Sequence, residues 1–186
     1  MQGDNILITG GSGLLGSSID FGHKPTSKEL NLLETDAIVE YLKANPQIDT
    51  IIHAAGLVGG VKKNTDCVYD FFSQNLRMAL NVMDAIAVTP KVRYGTFVLS
   101  TCIFPEKVQY PVDVDVLHAG EPHPTNYGYA YAKRMLGIGA KALNQQHSKH
   151  IKCIIPCNLY GPNDNYDLYG AHVIPSLIHK IGRAHV

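Results

Sequence analysis

The sequence predicts an α/β protein with a doubly wound parallel sheet. Short apolar segments alternate along the chain with segments of helical period, which is the pattern that strands and crossover helices produce. A glycine-rich turn follows the first apolar segment immediately. The 186 residues are enough for one domain of this kind.

The first element is a strand over residues 5–9 (NILIT), and the turn GGSGLLG follows it. Glycines there let the backbone turn tightly and approach a pyrophosphate, which sits on the amides of a helix N-terminus. Residues 1–180 are therefore predicted to form an NAD(P)-binding domain of the Rossmann type. The cofactor residues expected in this turn are Gly10, Gly11, Ser12, Gly13, Leu14, Leu15 and Gly16.

The next segment predicts a brief first helix and a compressed second strand, because Pro25 follows Gly16 by nine residues. Where an acidic residue would hold a ribose 2′-hydroxyl, the chain has Thr26, Ser27 and Lys28. Hydroxyls and a cation suit a 2′-phosphate, so NADPH is favoured over NADH. A solvated loop lysine is the alternative interpretation.

The remaining elements continue the alternation. Helices are predicted over residues 33–44, 66–88 and 129–146, and strands over residues 50–55, 94–100 and 151–156. The loop GLVGGVKKNT precedes the second of these helices, and Lys62 and Lys63 are interpreted as a solvated turn. A long loop follows residue 156, and loops of that length are usually functional.

The amino-acid composition limits which binding partners and which cellular compartment we expect. Sixteen acidic and sixteen basic residues give a net charge of zero without a basic block, so nucleic acid is not an expected partner. No run of eighteen apolar residues and no basic, apolar leader occurs, so we expect a cytoplasmic protein that is not in a membrane. The cysteines lack zinc-type spacing, which predicts reduced thiols and no metal site. Of these cysteines, Cys153 and Cys157 are expected to pack inside and Cys67 has no evident role.

A Tyr-x-x-x-Lys pair predicts carbonyl chemistry. Tyr129 and Lys133 are four residues apart on a predicted helix, so they share a face, and a nearby cation should lower the phenol pKa toward neutrality. The strand over residues 94–100 delivers Ser100 and Cys102 to its carboxyl end, where parallel sheets bind ligands.

Taken in order, TGGSGLLG, HAAGLVGG, LSTCIFP, YAYAK, PCNLYGPNDN and HVIP resemble the extended short-chain dehydrogenase/reductases and, within them, the GDP-L-fucose synthases. The resemblance covers nearly the whole chain. It implies conversion of GDP-4-keto-6-deoxy-D-mannose to GDP-L-fucose, by epimerisation at C3 and C5 and NADPH-dependent reduction at C4. It also implies a homodimer formed through the helices at 66–88 and 129–146.

The resemblance also implies residue roles. Cys102 becomes the base and His172 the acid of epimerisation, although the residues alone do not fix which is which. Tyr129 protonates the C4 oxygen, Lys133 lowers its pKa and Ser100 orients the ketone. Further cofactor contacts are expected from Ser27, Ala55, Leu99, Lys133, Pro156, Asn158, Leu159 and His172, and substrate contacts from Asn158 and Lys180.

One departure from the family is length. Relatives continue for well over a hundred residues into a substrate-binding lobe, so we expect that lobe to be largely missing here. The last residues, 181–186 (IGRAHV), resemble a translated sequencing adapter and are expected to be a non-native tail. NADPH binding with little turnover is the expected behaviour of such a truncated form.

Two alternatives stay open. One is another nucleotide-sugar enzyme, a 4-epimerase or a 4,6-dehydratase, although a dehydratase should carry acidic residues where Thr101 and Cys102 stand. The other is a non-catalytic NADP-binding module, which should have lost the Tyr-Lys pair.

Overall fold

Four parallel strands form the sheet of the computed structural model, which describes residues 3–184. They are β1 (Ile6–Thr9), β2 (Thr50–His53), β3 (Tyr94–Val98) and β4 (His150–Ile154), in the order β1-β2-β3-β4. Thr9 is in register with His53, and His53 with Phe97. The carboxyl ends of the strands therefore lie along one edge of the sheet, and the strands predicted over residues 5–9, 50–55, 94–100 and 151–156 are confirmed.

The helices are α1 (Leu14–Ser17), α2 (Thr35–Ala44), α3 (Val61–Asp66), α4 (Val68–Val88), α5 (Tyr127–His147) and α6 (Val173–Ala184). Helix α4 packs between α2 and α5. Successive crossovers in one direction along a parallel sheet are right-handed and place their helices on the same face. The core lies between this layer and the sheet, where Phe71, Ile86, Phe97 and Leu136 are buried.

The first crossover runs in the opposite direction. The amide of Ile8 donates to the His23 carbonyl oxygen (2.8 Å) and the amide of His23 donates to the Ile6 carbonyl oxygen (2.8 Å). His23 thus adds one strand-like residue on the free side of β1 and confirms the compressed second strand. Because the winding direction reverses at β1, a ligand crevice belongs at the carboxyl ends of β1 and β2.

Helix α3 corrects the predicted loop. Lys62 and Lys63 lie in this helix rather than in a turn, and Lys62 forms an ion pair with Asp66 one turn later (2.8 Å). Two predicted packing residues are also wrong: Cys153 and Cys157 are exposed. Cys153 lies on β4, which is the last strand of the sheet, and Cys157 lies in the loop beyond it.

Helix α6 includes residues 181–184 of the predicted tail, whereas residues 185 and 186 lie outside the described residues. Between residues 3 and 184, no helix is long and apolar enough to cross a membrane.

Candidate active site

A cleft of about 720 Å³ runs along the carboxyl ends of all four strands. Its walls are the turn at residues 10–16 after β1, residues 54–59 after β2, residues 98–100 after β3 and residues 156–160 after β4. This is the place that the reversal of winding direction predicts for a ligand.

The turn after β1 depends on two glycines. Gly10 has φ +74°, a backbone conformation that side chains disfavour, and a Cβ on Gly16 would overlap the Gly10 carbonyl oxygen. The chain therefore closes on itself more tightly than any larger residue would allow. All seven predicted turn residues, 10–16, line the cleft.

A buried histidine ties the ends of β1 and β2 together. His53 is 1% exposed, and its Nδ1 lies 2.8 Å from the Thr9 hydroxyl oxygen. Burial, and then the charge of Lys133, lower the pKa of His53 to about 3, so the imidazole is neutral. His53 is not among the residues predicted for the site, although a histidine at the end of an apolar strand was an available signal.

Ser100 and Cys102 stand at the end of β3, and both line the cleft. The Ser100 hydroxyl accepts a hydrogen bond from the Cys102 amide (3.4 Å), which begins a 3₁₀ turn over Thr101–Ile103. The buried Arg134 of α5 donates from Nε to the Ile103 carbonyl oxygen (2.6 Å). The turn that presents the thiol is therefore attached to α5.

Lys133 is fixed beside Tyr129 by the backbone of β3. Its Nζ donates to the Val98 carbonyl oxygen (2.9 Å) and lies 5.9 Å from the centre of the Tyr129 ring. Lys133 is 5% exposed, and burial lowers its pKa to about 8. The ammonium therefore remains charged at neutral pH.

The direction predicted for the Tyr129 pKa is wrong in this structure. Burial chiefly raises the pKa of Tyr129 to about 12, a negative charge on Cys102 raises it further, and interaction with the Ser100 hydroxyl lowers it in part. Desolvation of the phenolate is the largest of these effects. Tyr129 is therefore a phenol that keeps its proton at neutral pH, and it lies near both Ser100 and Cys102.

The loop after β4 brings its predicted residues to the same cleft. Pro156, Asn158, Leu159 and His172 line it, as do the predicted cofactor residues Ser27, Ala55 and Leu99. Lys28 and Thr26 do not line it, and the Thr26 hydroxyl instead donates to the Glu29 carboxylate (2.9 Å).

Lys180 is another predicted site residue that does not line the cleft. It is exposed on α6, eight residues beyond His172, which is roughly 12 Å along a helix axis. The prediction that Lys180 contacts substrate is therefore not supported by its position in this structure.

Helix α4, predicted only as a packing helix, also contributes side chains to the cleft and to its wall. Gln74 and Met78 line the cleft. Asn75 accepts from the Leu57 amide (2.8 Å) and donates to the Leu57 carbonyl oxygen (3.0 Å), so it holds the segment after β2 in place. A Gln-Asn pair inside an otherwise apolar helical pattern was the available signal.

The chemistry of the cleft follows from these side chains. A hydroxyl and a protonated phenol can both donate hydrogen bonds to a carbonyl oxygen, and a thiol and an imidazole can exchange protons near neutral pH. The described residues thus bring together the groups needed for proton transfer beside a ketone.

Comparison with known proteins agrees with this site. The family model described as the NAD dependent epimerase/dehydratase family matches residues 21–185. The chain belongs to that family. This NAD dependent epimerase/dehydratase chain is 40% identical to GDP-L-fucose synthase of Dictyostelium discoideum, with 94% of the chain and 58% of that protein covered. It is 37% identical to GDP-L-colitose synthase of Yersinia pseudotuberculosis, with 95% of the chain and 59% of that protein covered.

A solved structure of a relative has the same fold. The GDP-L-fucose synthetase from Naegleria fowleri bound to NADP superposes with a TM-score of 0.84 at 36% identity, over 96% of this chain and 57% of that one. The chain spans less than two thirds of the length of these relatives. The Rossmann-type fold predicted from the sequence is confirmed.

Proposed function

We propose that this chain is the cofactor-binding and catalytic part of a GDP-L-fucose synthase, which converts GDP-4-keto-6-deoxy-D-mannose to GDP-L-fucose. The observation that carries the proposal is that Ser100, Cys102, Tyr129, Lys133 and His172 line the same cleft as the glycine turn. The named relatives support the same activity.

NADPH is the proposed cofactor, and it supplies the hydride for C4 when bound. The turn at residues 10–16 fits a dinucleotide, because Gly16 leaves no Cβ between the first helix and the backbone that would meet a pyrophosphate. Ser27 lines the cleft and offers a hydroxyl to a 2′-phosphate. The Naegleria fowleri relative is bound to NADP, which supports the choice over NAD.

Epimerisation requires a proton to leave one face of the sugar and another to arrive on the opposite face. The protons at C3 and C5 are acidified by the C4 ketone between them, and hydrogen bonds from Ser100 and Tyr129 stabilise the enolate. Cys102 acts as the base and His172 as the acid. A thiol and an imidazole can each release and accept a proton, which suits both tasks.

Reduction uses the phenol of Tyr129 as the acid for the C4 oxygen. The raised pKa of about 12 means that the phenol holds its proton until negative charge develops on that oxygen. Lys133, charged at neutral pH, then stabilises the phenolate that forms. Ser100 orients the ketone by a hydrogen bond.

The test uses the full-length protein that contains this chain, incubated with GDP-4-keto-6-deoxy-D-mannose and NADPH. NMR of the product should show GDP-L-fucose, with one NADPH oxidised per sugar. A product reduced at C4 without inversion at C3 and C5 would reject the epimerase half. Separate incubations test the alternatives: inversion of the C4 hydroxyl of a nucleotide-hexose without net cofactor oxidation would support a 4-epimerase, and loss of water from GDP-mannose would support a 4,6-dehydratase.

A homodimer is also proposed, formed through α4 and α5. Both helices expose large apolar side chains, among them Leu80 and Ile138, which are each 47% exposed. Sedimentation velocity should show a dimer that Leu80→Glu weakens, and a monomer at micromolar concentration would reject the dimer.

A cytoplasmic location is proposed because all four cysteines are free thiols. Imaging of a fluorescent fusion tests this proposal.

Residues 181–186 are proposed to be a non-native tail because IGRAHV resembles translated adapter sequence. Amplification from genomic template decides this proposal. The same codons in genomic DNA would reject it.

A further inference from the structure

We infer that helix α3 and the Gly59–Gly60 turn before it hold His172 in place for proton transfer, an inference that rests on the proposed acid role of His172. The imidazole is exposed, and the His172 carbonyl oxygen accepts from the Ser176 amide (3.0 Å) at the start of α6. The start of α6 therefore holds the backbone of His172 on one side, and the residues just before it hold the other.

The first anchor is a backbone contact at Gly60. Its amide donates to the Gly170 carbonyl oxygen (2.9 Å), and both glycines are buried. A Cβ on Gly60 would overlap the carbonyl oxygen of Ala171, the residue immediately before His172. The close approach of the two segments therefore requires glycine at position 60.

Asn64 fixes the orientation of that turn. It is 4% exposed, and its Nδ2 donates to the carbonyl oxygens of Gly59 (2.5 Å) and Gly60 (3.2 Å). With both carbonyls engaged on the helix side, the Gly60 amide is directed at the loop that carries His172. Hydrogen bonds on both sides of the turn thus fix the contact between Gly60 and the loop.

The second anchor is on the surface, one turn further along α3. The Tyr169 hydroxyl donates to the Asp66 carboxylate (2.8 Å), which also pairs with Lys62 (2.8 Å). The Lys62 ammonium lies 5.1 Å from the centre of the Tyr169 ring. These groups are solvent-exposed, so we expect this anchor to contribute less than the buried one.

The two anchors bracket residues 169–171, so the backbone reaches His172 from a fixed position. Proton transfer to carbon depends steeply on geometry, and a displacement of about 1 Å can cost up to about a hundredfold in rate. Gly60, Asn64, Asp66 and Tyr169 are therefore positioning residues for the epimerisation step. The acid proposed for reduction at C4 is Tyr129 on α5, so the reduction step should depend on these four residues much less than the epimerisation step.

The decisive variant is Gly60→Ala in the full-length protein. Incorporation of solvent deuterium at C3 and C5 of the keto sugar should fall by about ten- to a hundredfold, while NADPH affinity stays within twofold. Gly137→Ala is the matched control, because its Cβ would make only an ordinary contact with Leu99 (3.5 Å). Equal losses of exchange and NADPH affinity in Gly60→Ala would show general damage and overturn the inference.

Tyr169→Phe tests the surface anchor, because it removes the hydroxyl that donates to Asp66 on α3. Tyr166→Phe is the control, because the Tyr166 hydroxyl donates to Gly161 within the loop and not to α3. Exchange should fall about two- to fivefold in the first and remain unchanged in the second. Asp66→Ala combined with Tyr169→Phe should cost no more than the larger single change, since each change removes the same contact. Additive losses would contradict the shared anchor.

Amide hydrogen exchange separates this inference from the proposed function. Gly60→Ala should speed exchange of residues 169–172 and leave α5 unchanged, whatever substrate the enzyme uses. If the wild-type protein incorporates no deuterium into the sugar, the proposed epimerisation fails while this measurement still decides the positioning. Unchanged protection of residues 169–172 would overturn the inference by itself.

Discussion

The two walls of the cleft are built differently. On the α5 wall, Lys133 and Arg134 are 5% and 4% exposed and donate to backbone carbonyl oxygens of Val98 and Ile103. On the opposite wall, the loop after β4 presents Asn158 and His172, both exposed. The groups assigned to reduction are thus set by the core, whereas the acid assigned to epimerisation is held by contacts between a loop and α3.

This difference implies that the two half-reactions can be separated by mutation. Changes in the α5 wall should impair reduction and also lower stability, because the same side chains are buried. Changes that loosen the loop should slow epimerisation and leave the core intact.

The largest effect is expected at Tyr129. Tyr129→Phe removes the hydroxyl that is proposed to protonate the C4 oxygen but keeps the ring packed edge-on against Phe71. Single-turnover NADPH oxidation should slow by about 10²- to 10⁴-fold, the usual contribution of a general acid. Tyr131→Phe is the control on the same helix and should retain reduction; a normal rate in Tyr129→Phe would remove the phenol from the mechanism.

The next effect concerns the turn after β1. Gly16→Ala places a Cβ against the Gly10 carbonyl oxygen, and overpacking of this kind costs about 1–3 kcal/mol. NADPH affinity measured by fluorescence titration should fall by about ten- to a hundredfold. Gly137→Ala should bind normally, and unchanged affinity in Gly16→Ala would contradict the tight-turn account.

The buried histidine between β1 and β2 also predicts a pH dependence of stability. The pKa of His53 is lowered from 6.5 to about 3 in the folded chain, so between these values the unfolded state binds a proton that the folded state does not. The free energy of unfolding should therefore decrease as pH falls from 6.5 toward 3, by up to about 1.4 kcal/mol per pH unit from this group.

His53→Gln removes that titration, so the difference in unfolding free energy between the two proteins should change across this pH range. Urea unfolding at several pH values measures it. Parallel pH profiles for wild type and variant would show that His53 is not held neutral.

The smallest effect is expected at Ser27. Ser27→Ala removes one hydroxyl that lines the cleft, which should weaken NADPH about two- to tenfold and leave NADH binding unchanged. Ser18→Ala is the control, since the Ser18 hydroxyl donates to the Leu14 carbonyl oxygen and is exposed. An equal loss for both cofactors would place Ser27 away from the 2′-phosphate.

The fold was predictable because its signals are local. Each strand is a short apolar run, and the glycines of residues 10–16 follow the first run directly. Helix α3 was missed because six residues rich in lysine carry no apolar period, and its stability comes from Asn64 and the Lys62–Asp66 pair.

The site was predictable where spacing alone decides geometry, as for Tyr129 and Lys133. The direction of the Tyr129 pKa could not be predicted in this way, because it depends on burial by elements distant in sequence. The contact of Gly60 with residues 170 and 171 joins segments more than a hundred residues apart, and no local sequence pattern predicts it.

The central claim is that a thiol and a phenol act on one sugar ketone in the same cleft, but in different steps. It is tested most directly by comparing Cys102→Ser and Tyr129→Phe in heavy water with GDP-4-keto-6-deoxy-D-mannose. Without NADPH, Cys102→Ser should lose deuterium incorporation at C3 and C5 by about 10²-fold or more. Tyr129→Phe removes only one of the two hydrogen bonds to the enolate and should lose it by no more than about tenfold. Wild-type incorporation by Cys102→Ser would contradict the account.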